Sequence, residues 1–173
     1  DLAENEILIT GDTIVCIDDQ ALGKPKDKTE ATKMLQNLSG RTHEVISSVC
    51  LKSTQKTKTF CDKTVVYFKE LSSAEIEYYI ENHQPFDKAG AYGIQGQGGT
   101  LVARYSGAFS TIVGFPLGPV LSALVDLGVE HREASGDVVA RASVKPRHVG
   151  FSCGAHRDGG SHDIIIVSAL RSK

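Results

Sequence analysis

Hydrophobic residues first cluster in two short runs near the start of the chain. The runs EILIT (6–10) and TIVCID (13–18) are each typical of a strand buried in a sheet. Between them stands Asp12, and a carboxylate that breaks an apolar run is costly unless it is paired, hydrogen-bonded or bound to a metal. We therefore expect Asp12 to lie at the end of a strand. The segment DQALG that follows, residues 19–23, is predicted to be a turn.

The spacing of apolar residues then changes to a helical period. A first helix is predicted within 27–40, and Asp27 stands at its cap position. A second helix is predicted over 72–82, where Ser72 is followed by Glu75 at capping-box spacing. Both segments carry one apolar stripe, which is typical of helices that pack on a sheet.

The remaining regular segments are predicted to be extended, except the last. Runs rich in β-branched residues at 42–53 and 59–71 are joined by a polar tip and predict an antiparallel hairpin. Further strands are predicted over 100–107 and 110–116, and a closing helix over 119–128. This mixture of periods predicts the α/β class, with a mixed, twisted sheet and flanking helices.

Composition limits the classes of function. The chain has 173 residues, a formal net charge of −2 and a sequence pI near 6.3, which argues against a general nucleic-acid binder. It has no apolar run of the length that a membrane span needs, about 18 residues or more. The first residues lack the features of a secretory signal. We expect a cytoplasmic protein without a nucleic-acid or membrane partner.

The cysteines and the end of the chain support the same expectation. The chain has four cysteines without a C-x-x-C pair, which favours reduced structural thiols over a zinc site. From about residue 129 the sequence mixes Gly, Ser, His and Arg without a sustained period. We therefore predict one domain over 1–128 and a poorly ordered tail of unknown role over 129–173.

Asp12 and its neighbour Thr13 are the first candidates for chemistry. Open α/β sheets place their ligands at the ends of strands and in the loops beyond. A carboxylate there can deprotonate a water or hold Mg²⁺ through oxygen. The alternative is an aspartate that hydrogen-bonds local backbone N–H groups.

Lys24 lies in a loop stiffened by Gly23 and Pro25. An ammonium group held in such a loop can neutralise phosphate oxygens. The spacing is not that of a Walker A motif, since the following Ser or Thr is missing. For the nearby Lys26 and Lys28, the simpler interpretation is a solvated pair of charges around a helix start.

The segment DKAGAYGIQGQGG, residues 87–99, contains five glycines and two alanines in thirteen residues. So little side-chain bulk lets a backbone approach something flat or charged, although a mobile surface loop has the same composition. Gln95 carries an amide that both donates and accepts, which suits the edge of a nucleobase. Asp87 and Lys88 either pair with each other or reach a substrate, and both are candidate substrate-binding residues.

Several segments together resemble one family. In chain order they are GDTIV, LGKPKD, TVVYF, EIEYYI, DKAGAYGIQG and IVGFPL. They resemble the Maf family of nucleoside-triphosphate pyrophosphatases, in the branch that acts on dTTP and UTP, over residues 6 to about 127. The resemblance implies a two-lobed α/β fold.

The resemblance also implies roles for individual residues. Asp12 would accept the proton of the attacking water, and it is the one candidate metal ligand. Lys24 would face the phosphates, while Thr13 and Gln95 would select the base. The implied reaction converts dTTP, UTP and modified pyrimidine nucleotides to the monophosphate and pyrophosphate, with Mg²⁺ or Mn²⁺ as cofactor. A homodimer is left open.

One part of the family pattern is not found. Family members begin with an apolar strand and a Ser-x-Ser-Pro-Arg-Arg loop that supplies cations to the triphosphate, and neither precedes Asp1. We therefore expect an N-terminally truncated form of the domain. The alternative to an active enzyme is a catalytically inactive isoform that binds nucleotide or dimerises.

Overall fold

The computed structural model describes residue 2 and residues 6–129, and every structural statement below refers to them. They form both strands and helices. The strands are β1 Leu8–Ile17, β2 Gln20–Leu22, β3 Thr42–Lys52, β4 Thr57–Phe68 and β5 Val102–Ser106. The α-helices are α1 Lys28–Leu38, α2 Ser73–His83, α3 Phe109–Ile112 and α4 Leu117–Asp126. Three 3₁₀ segments lie at Pro85–Asp87, Ala89–Ala91 and Gly96–Leu101.

The strands form a five-stranded sheet in the order β2-β1-β3-β4-β5. Its two edge strands pair antiparallel with their neighbours, Val15 opposite Leu22 at one edge and Val65 opposite Ser106 at the other. The predicted α/β class is confirmed, and so are the hairpin of β3 and β4, the strand β5 and the closing helix α4.

The chain divides into two compact units. Among the described residues, the first unit holds 2, 6–12, 48–61 and 117–129, and the second unit holds Thr13–Ser47 and Asp62–Pro116. Each unit has its own buried apolar residues. Those of the first are Ile7, Ile9, Val49, Leu51, Val120, Ala123 and Leu127. Those of the second include Val15, Ile17, Leu35, Leu38, Val45, Val66, Phe68, Ile76, Tyr79, Ile80, Tyr92 and Leu101.

Strand β1 corrects the prediction that Asp12 ends a strand. The strand is continuous, and Asp12 lies near its middle with its side chain exposed. Alternate positions point to opposite faces of a strand. The buried positions 7, 9, 15 and 17 therefore share one face with Gly11 and Thr13, while Asp12 lies on the other. The interruption was only apparent, because two small residues continue the buried face.

Both predicted helix starts are confirmed. The Asp27 side chain accepts a hydrogen bond from the Glu30 amide at 2.8 Å and so caps α1. At the start of α2 the capping box is complete, since Ser72 and Glu75 each bind the other's backbone N–H. Such caps satisfy amide groups that have no partner within the helix.

Two segments differ from the sequence-based prediction. The turn lies at Asp18 and Asp19, both with positive φ, so residues 20–22 form β2 rather than a turn. Two left-handed residues are what a tight two-residue hairpin loop requires. The segment 110–116 contains the end of the helical turn α3 and no strand, because a short apolar run does not distinguish the two by its period.

The predicted tail over 129–173 lies outside the described residues, apart from Val129. The predicted domain boundary near residue 128 thus stays a prediction. Among the described residues, no helix has the length and apolar character needed to cross a membrane.

Candidate functional site

One carboxylate in the second unit, that of Asp87, interacts with two lysines from separate loops, directly with Lys88 and through charge with Lys24. Lys88 donates a hydrogen bond to Asp87 through Nζ, at 2.9 Å from Oδ2. The Lys88 ammonium holds the pKa of that carboxyl below its ordinary value, and the charge of Lys24 acts in the same direction. The two loops are joined by a hydrogen bond of 3.0 Å from the Gly90 amide to the Gly23 carbonyl. We call Lys24, Asp87 and Lys88 the lysine cluster.

The lysine cluster carries one positive charge in excess, and its three side chains are exposed. An exposed ion pair contributes little to stability, so the lysine cluster does little to stabilise the fold. The charges of Lys88 and of Lys24 together exceed that of the one carboxylate, which leaves positive charge for an anion such as phosphate. Lys28 differs, because it bridges α1 to α2 through ion pairs with Glu77 and Glu81.

The glycine-rich segment after Lys88 is folded closely on itself. A Cβ on Gly98 would lie 1.9 Å from the Gly93 carbonyl oxygen, and one on Gly99 would lie 2.8 Å from that of Ile94. These distances are too short for any side chain. The glycines at these positions therefore serve the packing of the loop, and this loop carries Gln95 with its side chain exposed.

Tyr79 of α2 supports this loop from the buried side. Its ring is 5% exposed, and a Cβ on Gly98 would lie 3.0 Å from its hydroxyl oxygen. Burial raises the pKa of Tyr79, while a hydrogen bond with the Gly93 backbone opposes that rise. The hydroxyl thus stays protonated at neutral pH and joins a helix to the loop that carries Gln95.

His43 of β3 is buried in an aromatic group with Phe68 and Tyr92. Its Nε2 lies 2.7 Å from the Tyr92 hydroxyl, and its ring meets both neighbours edge-on at centroid distances of 5.0 and 5.4 Å. Its Nδ1 has no hydrogen-bond partner among the described residues. Burial lowers the pKa of His43 to about 4, so the imidazole is neutral at physiological pH. The position suits a packing role and offers no charge for binding.

Thr13 belongs to a chain of hydroxyl groups within the second unit. Its Oγ1 lies 2.7 Å from the Ser47 hydroxyl, and Ser47 donates a hydrogen bond of 2.7 Å to the Thr111 carbonyl. The Thr111 hydroxyl donates to the Asp62 carboxylate. Thr13 is half-buried, whereas Ser47 and Thr111 are fully buried.

Sequence reasoning missed Ser47, although the sequence holds a sign of it. The buried positions of β3 alternate as His43, Val45, Ser47, Val49 and Leu51, so this serine falls on the buried face. A hydroxyl buried among apolar residues needs a hydrogen-bond partner. A serine at such a position therefore predicts a specific polar contact.

Asp12 belongs to the first unit, whereas the other five predicted site residues, Thr13, Lys24, Asp87, Lys88 and Gln95, belong to the second. Within the second unit, the structure brings Lys24, Asp87 and Lys88 together. The roles assigned to all six residues stay predictions.

A divalent metal would find few protein ligands grouped together among the described residues. These residues contain no group of three His, Cys, Asp or Glu side chains arranged to hold a metal ion. Mg²⁺ at a nucleotide site commonly uses only one or two carboxylates together with water and phosphate oxygens. The single carboxylate of Asp12 therefore fits a metal that is held mainly by a nucleotide, and it does not fit a cage built by protein alone.

Comparison with known proteins adds an independent line of evidence. The Maf family, described as Maf-like protein, matches residues 1–127. A dTTP/UTP pyrophosphatase of Bacillus velezensis is 47% identical over 131 residues, which cover 75% of this chain and 69% of that protein. Proteins of the same name from Christiangramia forsetii and Flavobacterium psychrophilum are 49% and 50% identical over 73% and 67% of this chain. The matches to these two proteins span 65% and 60% of their length.

Proposed function

The chain belongs to the Maf family, and from this premise we propose that it hydrolyses pyrimidine nucleoside triphosphates. The substrates are dTTP, UTP and modified analogues, and the products are the monophosphate and pyrophosphate. The observation that carries the proposal is the lysine cluster, which offers positive charge to a polyphosphate. The names of the similar proteins, dTTP/UTP pyrophosphatase, support the same substrates.

Lys24 and Lys88 are proposed to bind the phosphates. Ammonium groups bind phosphate oxygens strongly because both partners are charged. Asp87 holds Lys88 in place through its 2.9 Å hydrogen bond and keeps the local charge from becoming repulsive between the two lysines. Pro25, which is buried, stiffens the loop that presents Lys24.

Thr13 and Gln95 are proposed to select the base. Gln95 is exposed on a loop whose backbone shape is set by close glycine contacts, so the backbone that carries its amide has a defined position. An amide offers a donor and an acceptor side by side, and pyrimidine edges offer the complementary pair. Thr13 adds a hydroxyl whose orientation is considered below.

Asp12 is proposed as the general base. It takes the proton of the water that attacks the triphosphate, and the phosphoanhydride bond between the α- and β-phosphates breaks to release pyrophosphate. The exposed side chain of Asp12, near the middle of β1, suits this role. When bound, Mg²⁺ or Mn²⁺ supplies neutralisation of phosphate charge, and Asp12 is the protein carboxylate that would hold it.

Pyrophosphate release tests the proposal. The unmodified chain is expected to release pyrophosphate from dTTP and UTP, with Mg²⁺ or Mn²⁺ present, faster than from CTP or 7-methyl-GTP. The Asp12→Asn variant is expected to lose this activity. Asp19→Asn is the matched control, since it removes an equal charge at an exposed turn where asparagine also tolerates positive φ. Equal turnover of all four nucleotides, or full activity in Asp12→Asn, would contradict the proposal.

A second candidate function is nucleotide binding without hydrolysis. The described residues contain no group of three His, Cys, Asp or Glu side chains that could hold a metal ion by themselves, and this favours binding without hydrolysis. Calorimetry with dTTP would then give binding that needs Lys24, while pyrophosphate release stays at the background rate. In either case we propose that the protein acts in the cytoplasm and binds neither nucleic acid nor membrane. We also propose a homodimer as its possible assembly.

A further inference from the structure

The direction of the hydrogen bonds around Thr13 can be worked out from the groups involved. Ser47 has one hydroxyl proton, and its oxygen lies 2.7 Å from the Thr111 carbonyl oxygen. A carbonyl oxygen only accepts hydrogen bonds, so this contact uses the proton of Ser47. Ser47 is fully buried, which makes its hydroxyl costly to leave without a partner.

The Thr13 hydroxyl lies 2.7 Å from the same serine oxygen. Because Ser47 has already donated its proton, Thr13 is the donor in this contact. The proton of Thr13 therefore points toward Ser47, and the lone pairs of its oxygen point elsewhere. Toward a ligand, the Thr13 oxygen can then act only as a hydrogen-bond acceptor, and a hydroxyl oxygen accepts up to two hydrogen bonds.

The acceptor that orients Ser47 is itself held firmly. The Thr111 carbonyl belongs to the short helix α3, and the Thr111 side chain donates to Asp62 of β4. One turn earlier, the Ala108 carbonyl accepts a hydrogen bond of 2.9 Å from Thr64, also of β4. Two side chains of one strand thus anchor the turn, and the Thr111 carbonyl cannot easily move away from Ser47.

We propose that Ser47 is a positioning residue for base selection, because it fixes Thr13 as an acceptor for the ring N3–H of uracil and thymine. The inference rests on the proposed function, in which Thr13 contacts the base. Uracil and thymine carry a proton at N3, whereas cytosine has a lone pair there. An acceptor facing N3 therefore binds uracil and thymine, and it repels the lone pair at N3 of cytosine.

The test compares UTP and CTP in kcat/KM for the full chain and four variants. In Ser47→Ala the Thr13 hydroxyl can turn and donate to cytosine N3, so the ratio of UTP to CTP is expected to fall about tenfold, through slower UTP and faster CTP hydrolysis. Thr13→Val removes the hydroxyl and is expected to lower the rate with UTP alone. Thr13→Ser keeps the hydroxyl and is expected to keep the ratio.

Ser48→Ala is the matched control, since the adjacent serine lies on the other face of β3 with its hydroxyl 2.9 Å from the Cys61 sulfur. A loss of stability alone would lower both rates together and would not change the ratio. An unchanged ratio in a folded Ser47→Ala chain overturns the inference and leaves the proposed function in place. If the unmodified chain hydrolyses neither nucleotide and binds neither in calorimetry, the proposed function fails first and the inference falls with it.

Discussion

Gly98 approaches Gly93 so closely that a Cβ on residue 98 would lie 1.9 Å from the Gly93 carbonyl oxygen. This contact between two backbones fixes the shape of the loop that presents Gln95. A side chain at position 98 would push the two segments apart, because backbone atoms on both sides have no rotamer to adjust. The loop that carries Gln95, the residue proposed to select the base, is thus closely packed at Gly98.

We expect Gly98→Ala to reduce the free energy of unfolding by about 3 kcal/mol or more, because overpacking against backbone cannot be relieved locally. Denaturant unfolding followed by fluorescence or circular dichroism measures this change. Gly23→Ala is the control, since no heavy atom lies within 4 Å of a Cβ there and its φ is not positive. The control is expected to change stability by less than about 1 kcal/mol. Equal effects in the two variants would show that the loop is not closely packed.

Tyr79→Phe is expected to weaken the packing of the loop that contains Gly93 and Gln95. The variant removes the hydroxyl that hydrogen-bonds the Gly93 backbone and leaves that group without its partner. The expected loss is about 1–2 kcal/mol in stability, together with faster hydrogen exchange at the Gly93 amide. Tyr78→Phe is a matched control on the same helix, because its side chain is 67% exposed. Unchanged exchange at Gly93 in Tyr79→Phe would contradict the assigned contact.

Because His43 is buried, we expect the stability of the fold to fall as the pH is lowered. Burial lowers the pKa of His43 in the folded chain to about 4, below the ordinary value of 6.5. Between these two values the unfolded chain binds more protons, so stability is full above pH 6.5 and falls as pH drops toward 4. The share of His43 in this loss is about 2–3 kcal/mol.

His43→Phe keeps an aromatic ring at this position and removes the titrating group. Its stability is expected to fall less steeply between pH 6.5 and pH 4 than that of the unmodified chain. The slope with pH decides the prediction, since the substitution also changes packing. His83→Gln, at an exposed position, is expected to keep the original slope. A His43→Phe chain with the original slope would mean that His43 is protonated in the fold.

Lys24→Met is expected to raise the KM for dTTP about tenfold or more, since a hydrogen bond to a charged group contributes about 1.5–3 kcal/mol. Lys26→Met is the control, because this lysine is two residues away and equally exposed. Steady-state kinetics measure both variants, and calorimetry with dTTP gives the same comparison if turnover is slow. Similar changes in the two variants would indicate a general effect of charge rather than a phosphate contact at Lys24.

The sequence predicted the elements whose cause is local. Both helix starts depend on side chains three residues apart. The sequence alone shows this spacing in the pairs Asp27–Glu30 and Ser72–Glu75. The sequence predicts two strands where the structure has the single strand β1, because a charged residue on an exposed face resembles the end of a strand. The regular alternation of buried and exposed positions along β1 is the pattern of one continuous strand.

The contacts that shape the candidate site were not predictable in the same way. Ser47 meets the Thr111 carbonyl across 64 positions of sequence, and no local pattern fixes such a partner. The many glycines of the 87–99 segment indicate a close approach of backbone, but composition does not tell whether they face a ligand or their own chain. The structure places two of them, Gly98 and Gly99, against backbone carbonyls.

Thr111→Val separates the two roles of Thr111. The variant removes the hydroxyl that donates to Asp62 but keeps the backbone carbonyl that accepts from Ser47. Stability is expected to fall by about 1–3 kcal/mol, because the half-buried Asp62 carboxylate loses a donor. The ratio of UTP to CTP hydrolysis is expected to change less than about twofold, since the orientation of Ser47 is preserved. Thr32→Val, whose exposed hydroxyl only reaches the Lys28 carbonyl at 2.8 Å, is expected to leave the ratio unchanged and stability nearly so. A ratio that falls in Thr111→Val as far as in Ser47→Ala would mean that the Asp62 contact, and not the carbonyl alone, orients the hydroxyl chain.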